Sequence, residues 1–566
     1  MAAYVSATSL GISLTALDLA KAGSYPVAVT NPGPGGGASA AAEFTVTPPN
    51  PVPTITGLTP AQLMVGSSAQ KLTIRGTGFV SSGTVKFNGV SRAAAYISAN
   101  SLTISLTIKD LAKAGNYPVA VTNPAPQGGV SNSVVFTVAK NPSSGEWTWV
   151  NGSSTPFAEG IYGTLGIPAA SNFPGAREFS LGWTGANGSL WLFGGAAGDG
   201  YLNDLWRYDP SAGTWTWISG SNVGWASGVY GTKRVPSASN VPGAREESIS
   251  WTDANGGLWL FGGDVILAYS SDGIFNDLWR YDPTAGAWTW MSGSNTPNAP
   301  GIYGAMRTQS TSNAPGARTS AVSWTGANGH LWLFGGSGNG STGSNGLLND
   351  LWQFDPSAGT WTWMSGSKVC WASGVYGTKG ISSASNVPGA RSDSIGWTDA
   401  NGSLWLFGGV SYDSSRSNGV SYNDLWRYDP SVGAWTWVSG SNTPNASGVY
   451  GTLGIPSTSN APRARSDAVS WTGANGHLWL FGGLGNNSRL NDLWQFDPSG
   501  GTWTWMSGSN TPNALGVYGT LGIPSASNVP GARVRLTRWT DINGRLWLYG
   551  GELPTGVVGD LWLYQP

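Results

Sequence analysis

One block of sequence returns six times along the last three quarters of the chain, and it restricts the fold more than any other feature. An apolar run ends in two glycines, as in LWLFGG from Leu190 to Gly195, and NDLW or a close variant follows it. WTW comes a few residues later. Successive blocks are about 70 residues apart, and each holds four short strand-like runs separated by Gly, Pro, Asn and Asp. Four strands repeated at this spacing indicate the blades of a β-propeller.

The two ends of the repeat predict how the ring closes. WTWV, from Trp147 to Val150, is a fourth strand without the first three before it. The chain stops at DLWLYQP, a third strand without a fourth after it. Joining the two completes one blade and leaves no long unpaired edge. The sequence therefore predicts a six-bladed propeller over residues 146–566, closed by strand 146–150 pairing with the C-terminal blade.

A second kind of repeat precedes the propeller. Tyr4 to Pro32 recurs with few changes as Tyr96 to Pro124, and only the later copy is preceded by a segment such as Pro53 to Val90. Runs such as LTIRG, VKFNG and YPVAVTN alternate between apolar and polar residues, as in a small β-sandwich. We predict a complete module at 53–139 and a partial one at 1–47, so we expect the N-terminus of this chain to be truncated.

Both repeats resemble known families. ITGLTP, VKFNGV and YPVAVTNP in residues 53–139 resemble the IPT/TIG immunoglobulin-like family, whose modules are commonly spacers or interaction domains. The succession of LWLFGG, NDLW and WTW resembles the Kelch repeat, which is also found in galactose oxidase-like proteins. The resemblance implies an all-β chain in which immunoglobulin-like modules precede a six-bladed Kelch propeller. Kelch propellers include enzymes and non-catalytic binding proteins, so the fold leaves the function open.

Charge and composition exclude several partners. The 28 basic and 29 acidic residues nearly cancel, so we expect no nucleic-acid partner. No apolar run reaches the roughly 18 residues of a membrane helix, so we expect no membrane insertion. The first residues lack the basic start of a signal peptide. We expect a monomer at the cell surface or outside the cell, with any signal sequence belonging to the missing N-terminal part.

Residues that could carry catalysis or bind a metal are few. Cys370 is the only cysteine, and its counterpart in another blade is Gly224, so we interpret it as an incidental small residue. The two histidines, His330 and His477, fall in the short turn between the first and second strands of a blade. We therefore predict no catalytic residue, no metal and no cofactor.

Tryptophan gives the best signal for a ligand site. Thirty of the 32 tryptophans recur five to a blade, which is typical of packing between blades. The other two, Trp225 and Trp371, occupy equivalent places in long loops that read SNVGWASG and SKVCWASG. An indole on a polar loop can stack on a sugar ring. The alternative is that each indole caps a neighbouring blade.

A recurrent arginine is the second candidate for ligand contact. It begins the first strand of each blade and could ring the mouth of the central channel, where it would hold a carboxylate or a sulfate. The alternative is a structural pair with the aspartate of NDLW. The arginines are Arg177, Arg245, Arg318, Arg391, Arg465 and Arg533.

The sequence leaves three functions open. We favour a non-catalytic surface protein whose long loops bind a glycan or a protein. A galactose oxidase-like copper enzyme is an alternative, but the matching histidine, tyrosine and cysteine positions are not found. A propeller glycosidase would need paired carboxylates. Asp199, Asp272 and Asp413 lie in long loops but share no register.

Overall fold

The computed structural model describes residues 2–139, 144–198, 200–265 and 273–566. The described residues form strands and turns, without an α-helix. The chain divides into two compact units, Met1–Val138 and Ala139–Pro566. The expectation of an all-β protein is confirmed.

The N-terminal segment of the first unit consists of two separate hairpins. Ala3–Ser6 pairs with Ser9–Gly11, and Gly23–Val27 pairs with Ala42–Val46. Nearly every residue of these strands is exposed to solvent. The segment thus has strands but no core of its own.

The rest of the first unit is a β-sandwich of two antiparallel sheets. One sheet contains, in spatial order, Ala95–Ser98, Ser101–Leu106, Gln70–Thr77 and Thr54–Thr59. The other contains Gln62–Met64, Val134–Ala139, Gly115–Asn123, Thr84–Phe87 and Val90–Arg92, and Gly129–Val130 pairs with Gly115–Asn123. Alternate side chains of both sheets meet in one core, in which Ile74, Val121 and Phe136 are fully buried.

Within the described residues, the second unit contains six sheets built on four antiparallel strands each, one of them with a short fifth strand, and these are the six predicted blades. We call the strands a to d and number the blades along the chain. In blades 1 to 6, strand a is Leu181–Thr184, Ile249–Thr252, Val322–Thr325, Ile395–Thr398, Val469–Thr472 and Thr537–Thr540. Strand b is Leu190–Ala197, Leu258–Val265, Leu331–Asn339, Leu404–Phe407, Leu478–Gly485 and Leu546–Tyr549.

The two outer strands of each blade follow in the same order. Strand c is Gly200–Asp209, Gly273–Asp282, Asn345–Asp355, Leu425–Asp429, Ser488–Asp497 and Gly559–Gln565. Strand d is Thr214–Ser219, Ala287–Ser292, Thr360–Ser365, Ala434–Ser439, Thr502–Ser507 and, for blade 6, Glu146–Ser153. Short additional strands are Arg318–Thr319 in blade 3, the pair Val410–Tyr412 and Gly419–Ser421, and the pair Glu552–Leu553 and Gly556–Val557.

The sixth blade joins the start of the ring to its end. Glu146–Ser153 pairs antiparallel with Gly559–Gln565, with Trp149 opposite Trp562. A bulge between Trp149 and Asn151 shifts the register by one residue. This pairing gives the last strand c a neighbour on its open side.

Tryptophans hold each blade to the next. The indole Nε1 of Trp183 in strand a donates to the carbonyl oxygen of Trp259 in strand b of the following blade, at 3.0 Å. The same bond recurs at the other five boundaries, including Trp539 to Trp191 across the closure. Around each bond lies a buried cluster of Trp, Phe, Tyr and Leu from both blades. The thirty recurrent tryptophans therefore belong to the blade framework.

The double glycine of strand b is needed for close packing between blades. Gly194 and Gly195 have φ of 61° and 91°, and the N–H of Gly195 donates to the carbonyl of Arg245 in the next blade at 3.0 Å. A Cβ on Gly195 would lie 2.4 Å from the carbonyl oxygen of Glu178. Both the backbone conformation and the space therefore favour glycine.

Candidate functional site

The six recurrent arginines are buried inside the blades and do not face a ligand. The guanidinium of Arg245 donates to both carboxylate oxygens of Asp277 at 2.8 Å, and to the carbonyls of Gly262 and Gly243. The pairing of an arginine with the NDLW aspartate recurs in every blade. The prediction that Arg177, Arg245, Arg318, Arg391, Arg465 and Arg533 contact a ligand is therefore wrong, because these side chains are at most 2% exposed.

Each arginine–aspartate pair anchors the loop that runs from one blade to the next. Oδ2 of Asp277 also accepts hydrogen bonds from the Tyr230 hydroxyl, at 2.6 Å, and from Nε1 of Trp279, at 2.7 Å. Burial, followed by the charge of Asp277, raises the pKa of Tyr230 well above its ordinary value. The recurrent tyrosine therefore stays neutral and fixes its long loop to the blade framework.

Trp225 and Trp371 occupy the same position in two of the six loops that join strand d of one blade to strand a of the next. Six equivalent residues have left-handed backbone with φ between 55° and 65°, namely Phe157, Trp225, Asn298, Trp371, Asn445 and Asn513. Asparagine tolerates this conformation well, whereas tryptophan rarely adopts it. The two indoles are thus held at a strained position on the long-loop face.

Trp225 is 43% exposed and lies against the hairpin of its own blade. Its backbone N–H donates to the backbone carbonyl of Tyr201 at 2.8 Å, and the centroid of its ring is 5.0 Å from that of the Tyr201 ring. A Cβ on Gly200 would lie 2.1 Å from the indole. The indole therefore packs on its own blade in these contacts rather than capping a neighbouring one, and part of it stays exposed.

Trp371 lies between two blades and lines a cavity of about 440 Å³. One contact is with its own blade, where a Cβ on Gly346 would lie 2.3 Å from the indole nitrogen. The others come from the b-to-c hairpin of blade 4, where the Tyr412 ring meets the indole edge-on at 5.6 Å and Arg416 lies 5.1 Å from the ring centroid. The cavity thus combines an aromatic ring with hydroxyl groups and one exposed cation.

The loop aspartates do not form a catalytic pair in the described part of the chain. Asp413 lines the Trp371 cavity, but its carboxylate accepts hydrogen bonds from Ser415, Ser417 and Asn418 within its own hairpin. The bonds from Ser415 and Asn418 lower the pKa of Asp413. Asp199 and Asp272 lie outside the described residues.

Cys370 and the two histidines are not among the residues that line the Trp371 cavity. The Cys370 thiol is half-buried and donates to the carbonyl of Ser344 at 3.1 Å, and burial raises its pKa. His330 and His477 lie in turns between strands a and b, each next to an asparagine side chain. The described residues contain no group of three His, Cys, Asp or Glu side chains arranged for a metal ion.

A ring of six residues at the mouth of the central channel was not anticipated from the sequence. Each member comes two residues after a recurrent arginine, has φ between 52° and 62° and is half-buried. At five of the six positions the N–H donates to the carbonyl of the same position in the preceding blade. The members of this mouth ring are Phe179, Glu247, Ser320, Asp393, Asp467 and Arg535.

The mouth ring carries most of the charge near the channel. Burial raises the pKa of Asp393 well above its ordinary value, and the neighbouring Asp467 and Glu247 raise it further. Arg535 makes ion pairs with Glu178 and Glu552, both at 3.3 Å. The sequence did contain a signal for this ring. Its position is F, E, S, D, D and R in the six blades, whereas the alanine and arginine three and two residues before it are the same in every blade. A position that varies within a faithful repeat marks a surface free of packing constraints.

A carboxylate pair that shares a phenol lies beside Trp225. The Tyr201 hydroxyl donates to Glu246 at 2.6 Å and lies 3.4 Å from a carboxylate oxygen of Asp264. Burial raises the pKa of Glu246 to about 7, although the bond from Tyr201 acts against this shift. Both carboxylates and the phenol are only half-buried, so solvent reaches them.

Two family models match parts of the chain. The IPT/TIG domain model matches residues 53–138, and the Kelch motif model matches residues 472–508 in blade 5. The protein is therefore a six-bladed Kelch-type β-propeller with an N-terminal IPT/TIG immunoglobulin-like domain. No curated protein matches the chain. A solved structure described as "Structure of YjhT" aligns with 15% identity and a TM-score of 0.43, covering 69% of this chain and 95% of that chain. No helix among the described residues is long and apolar enough to cross a membrane.

Proposed function

We propose that the protein is a non-catalytic, monomeric binding protein of the cell surface or extracellular space, and that it binds a carbohydrate in the Trp371 cavity. The observation that carries the proposal is the cavity itself, in which a half-buried indole, Tyr412 and Arg416 line a space of about 440 Å³. Ligand pockets commonly measure roughly 300–1,000 Å³.

The chemistry of the cavity suits a sugar. An indole offers an apolar face to the C–H groups of a pyranose, while hydroxyl groups around it satisfy the sugar hydroxyls. Ser411 and Ser414 supply such groups at the rim of the cavity. The cavity also lies on a rigid framework, because the tyrosine of the same loop, Tyr376, is anchored to Asp424 at 2.6 Å. A rigid site reduces the entropy lost on binding.

The experiment is a glycan array probed with the full chain and with Trp371→Asn. Asparagine occupies the equivalent position in three other loops, so this variant keeps the left-handed backbone. We expect the wild-type signals to fall at least tenfold, in line with the loss of one stacking platform. Trp225→Asn is the matched control, and we expect it to keep the signals. Equal binding by Trp371→Asn and the wild type would remove this site from consideration, and a protein ligand on the loop face would then be tested by the same pair of variants.

A glycosidase is a second candidate because one specific arrangement favours it. Glu246 and Asp264 approach one phenol next to the exposed Trp225, and hydrolysis of a glycosidic bond uses two carboxylates of different pKa. If Glu246 is the general acid, hydrolysis of nitrophenyl glycosides should decline as the pH rises above about 7, where Glu246 loses its proton. Glu246→Gln should abolish the activity, and a complete absence of turnover by the wild type would exclude this candidate.

A further inference from the structure

Serines and threonines from all six blades line the central channel of the propeller, together with the tryptophan of each strand a. Strands a of all six blades enclose a cavity of about 590 Å³. Threonines form one layer of its wall, and several donate their hydroxyls to the carbonyl of the threonine in the preceding blade, as Thr398 does to Thr325 at 3.1 Å. Serines and glycines form the layer next to it. The lining is therefore polar and, apart from one residue, uncharged.

That residue is Arg538, the second residue of strand a in blade 6. Its backbone pairs with Leu548 of strand b, as the equivalent residue pairs with strand b in every other blade. The equivalents are Gly182, Ser250, Ser323, Gly396 and Ser470. A guanidinium thus projects into a layer where the other five blades have a hydroxymethyl group or a hydrogen.

Arg538 has no counter-charge within hydrogen-bonding distance. Among the described residues its guanidinium makes no hydrogen bond and no ion pair, whereas Arg535 and the six buried arginines all have carboxylate partners. The side chain is exposed to the channel. The surrounding walls lower its pKa to about 10, so it remains charged at neutral pH. A confined charge without a partner is strongly stabilised by an anion that reaches it.

We infer that the central channel binds a small ligand carrying a carboxylate, sulfate or phosphate group through the guanidinium of Arg538. The five N–H donors of a guanidinium match the oxygens of such groups, and the serine hydroxyls of the same layer can complete their hydrogen bonds. The volume of about 590 Å³ admits a ligand of several heavy atoms. This site is separate from the Trp371 cavity and does not depend on the function proposed above.

The mouth ring makes the long-loop end of the channel unfavourable for an anion. Glu247, Asp393 and Asp467 lie where strands a begin, on the side of the long loops. The cation of this ring, Arg535, is already paired with Glu178 and Glu552, so the ring offers an anion three carboxyl groups and no free guanidinium. The opposite end of the channel is lined by the threonine layer, which carries no charge. We therefore expect anions to enter from the side of the short a-to-b turns.

The test is isothermal titration calorimetry on the full chain with sodium sulfate, sodium phosphate and sodium acetate, at an ionic strength held constant with sodium chloride. We expect saturable binding of at least one of the three, and the strongest of them identifies the preferred group. Arg538→Ser should weaken that binding at least tenfold, because it removes the only charged donor of the cavity wall. Arg538→Lys should retain a part of it, because the charge stays while the forked geometry is lost.

Folding and net charge are both controlled. Serine occupies this position in blades 2, 3 and 5, so Arg538→Ser places a residue that the layer already accommodates. Arg75→Ser makes the same change of net charge in the other compact unit, and its binding should equal that of the wild type. Wild-type protein that binds none of the three salts saturably overturns the inference, as does Arg538→Ser binding with wild-type affinity.

Discussion

Two regions, residues 2–47 and blade 6, differ from the continuous copies of their repeats. Only blade 6 has a buried core. Blade 6 receives its strand d from Glu146–Ser153, and Trp147 of that strand is 1% exposed. Residues 2–47 repeat the sequence of the complete module without strands equivalent to residues 53–90. Phe44 is 40% exposed, whereas its counterpart Phe136 is 0% exposed.

The difference separates local from long-range effects. The hairpins of residues 2–47 have the same register as their counterparts, with Tyr25 opposite Phe44 as Tyr117 is opposite Phe136. Even the bond from the tyrosine hydroxyl to the lysine carbonyl four residues earlier is the same, at 2.7 and 2.6 Å. Local sequence therefore suffices for pairing, while burial of an apolar face requires the further strands that complete both sheets of the sandwich.

The largest effect is expected from adding strands equivalent to those of residues 53–90 to residues 2–47. Fusing a copy of residues 53–90 ahead of Ala3 would supply the strands that complete both sheets in the complete module. Leu10, Val27 and Phe44 should then become buried, because their counterparts Leu102, Val119 and Phe136 are buried in the presence of these strands. Hydrogen exchange measured by mass spectrometry should show new protection in the first hairpins. Unchanged exchange would mean that the additional strands do not account for the difference.

The second effect concerns the closure of the ring. Trp147→Ala should destabilise blade 6 by about 3–5 kcal/mol, the usual result of removing a buried aromatic side chain. Trp147 packs against Tyr564 and against Phe481 of blade 5, with ring centroids 4.9 and 5.4 Å apart. The measurement is the exchange rate of amides in Gly559–Gln565. Trp361→Ala, in the continuous strand d of blade 3, is the control and should leave these amides protected.

The third effect compares equivalent phenylalanines. Phe136→Ala should destabilise the complete module by about 3–5 kcal/mol, because Phe136 is fully buried and packs against Phe87. Phe44→Ala should change stability by less than about 0.5 kcal/mol, since its side chain is already partly in water. Urea unfolding followed by hydrogen exchange in residues 53–138 gives the first value, and exchange in residues 2–47 gives the second. Similar losses for both variants would contradict the comparison.

The smallest effect is a pH dependence. Asp18 and Asp110 accept equivalent hydrogen bonds from Thr15 and Thr107, and only Asp110 is also paired with Arg92. Burial opposes ionisation of Asp110, but the bonds from Thr107 and the charge of Arg92 outweigh it and lower its pKa. A lowered carboxylate pKa stabilises the fold above the unfolded value of about 4, and this stabilisation disappears as the pH falls through the folded value.

The corresponding measurement is an NMR titration of the two aspartates. Arg92→Met should raise the pKa of Asp110 and leave that of Asp18 unchanged, because no arginine is paired with Asp18 in the described structure. Asp110→Asn should flatten the decline in stability of residues 53–138 below about pH 4. An equal response of both aspartates to Arg92→Met would show that the ion pair does not distinguish the two copies.

Much of the fold was predictable from the sequence because turn residues separate the strands of each repeat. The four strands of each blade, the double glycines and the packing role of thirty tryptophans follow from residues that recur six times. The role of the six recurrent arginines did not follow from the sequence, because a buried ion pair and an exposed ring use the same residue types. Only the structure shows that both oxygens of Asp277 bind Arg245 and that this arginine is buried.

The candidate sites depended on residues that do not recur. The sequence singled out Trp371 because it departs from the repeat, but Tyr412 and Arg416, which complete its cavity, come from the hairpin of another blade. Arg538 departs from the repeat in the same way. Its significance is visible only in the assembled channel, where the five equivalent positions are uncharged.

The sequence by itself determined the strand pattern, the number of blades and the residues that pack between them, because these depend on short-range periodicity and on turn chemistry. The tertiary structure decided which charges are paired and which are free. Asp204 and Arg177 are 27 residues apart in the chain and 2.7 Å apart in the blade, while among the described residues Arg538 has no carboxylate within hydrogen-bonding distance. Electrostatic pairing depends on distances between strands that are remote in sequence, and folding alone fixes those distances.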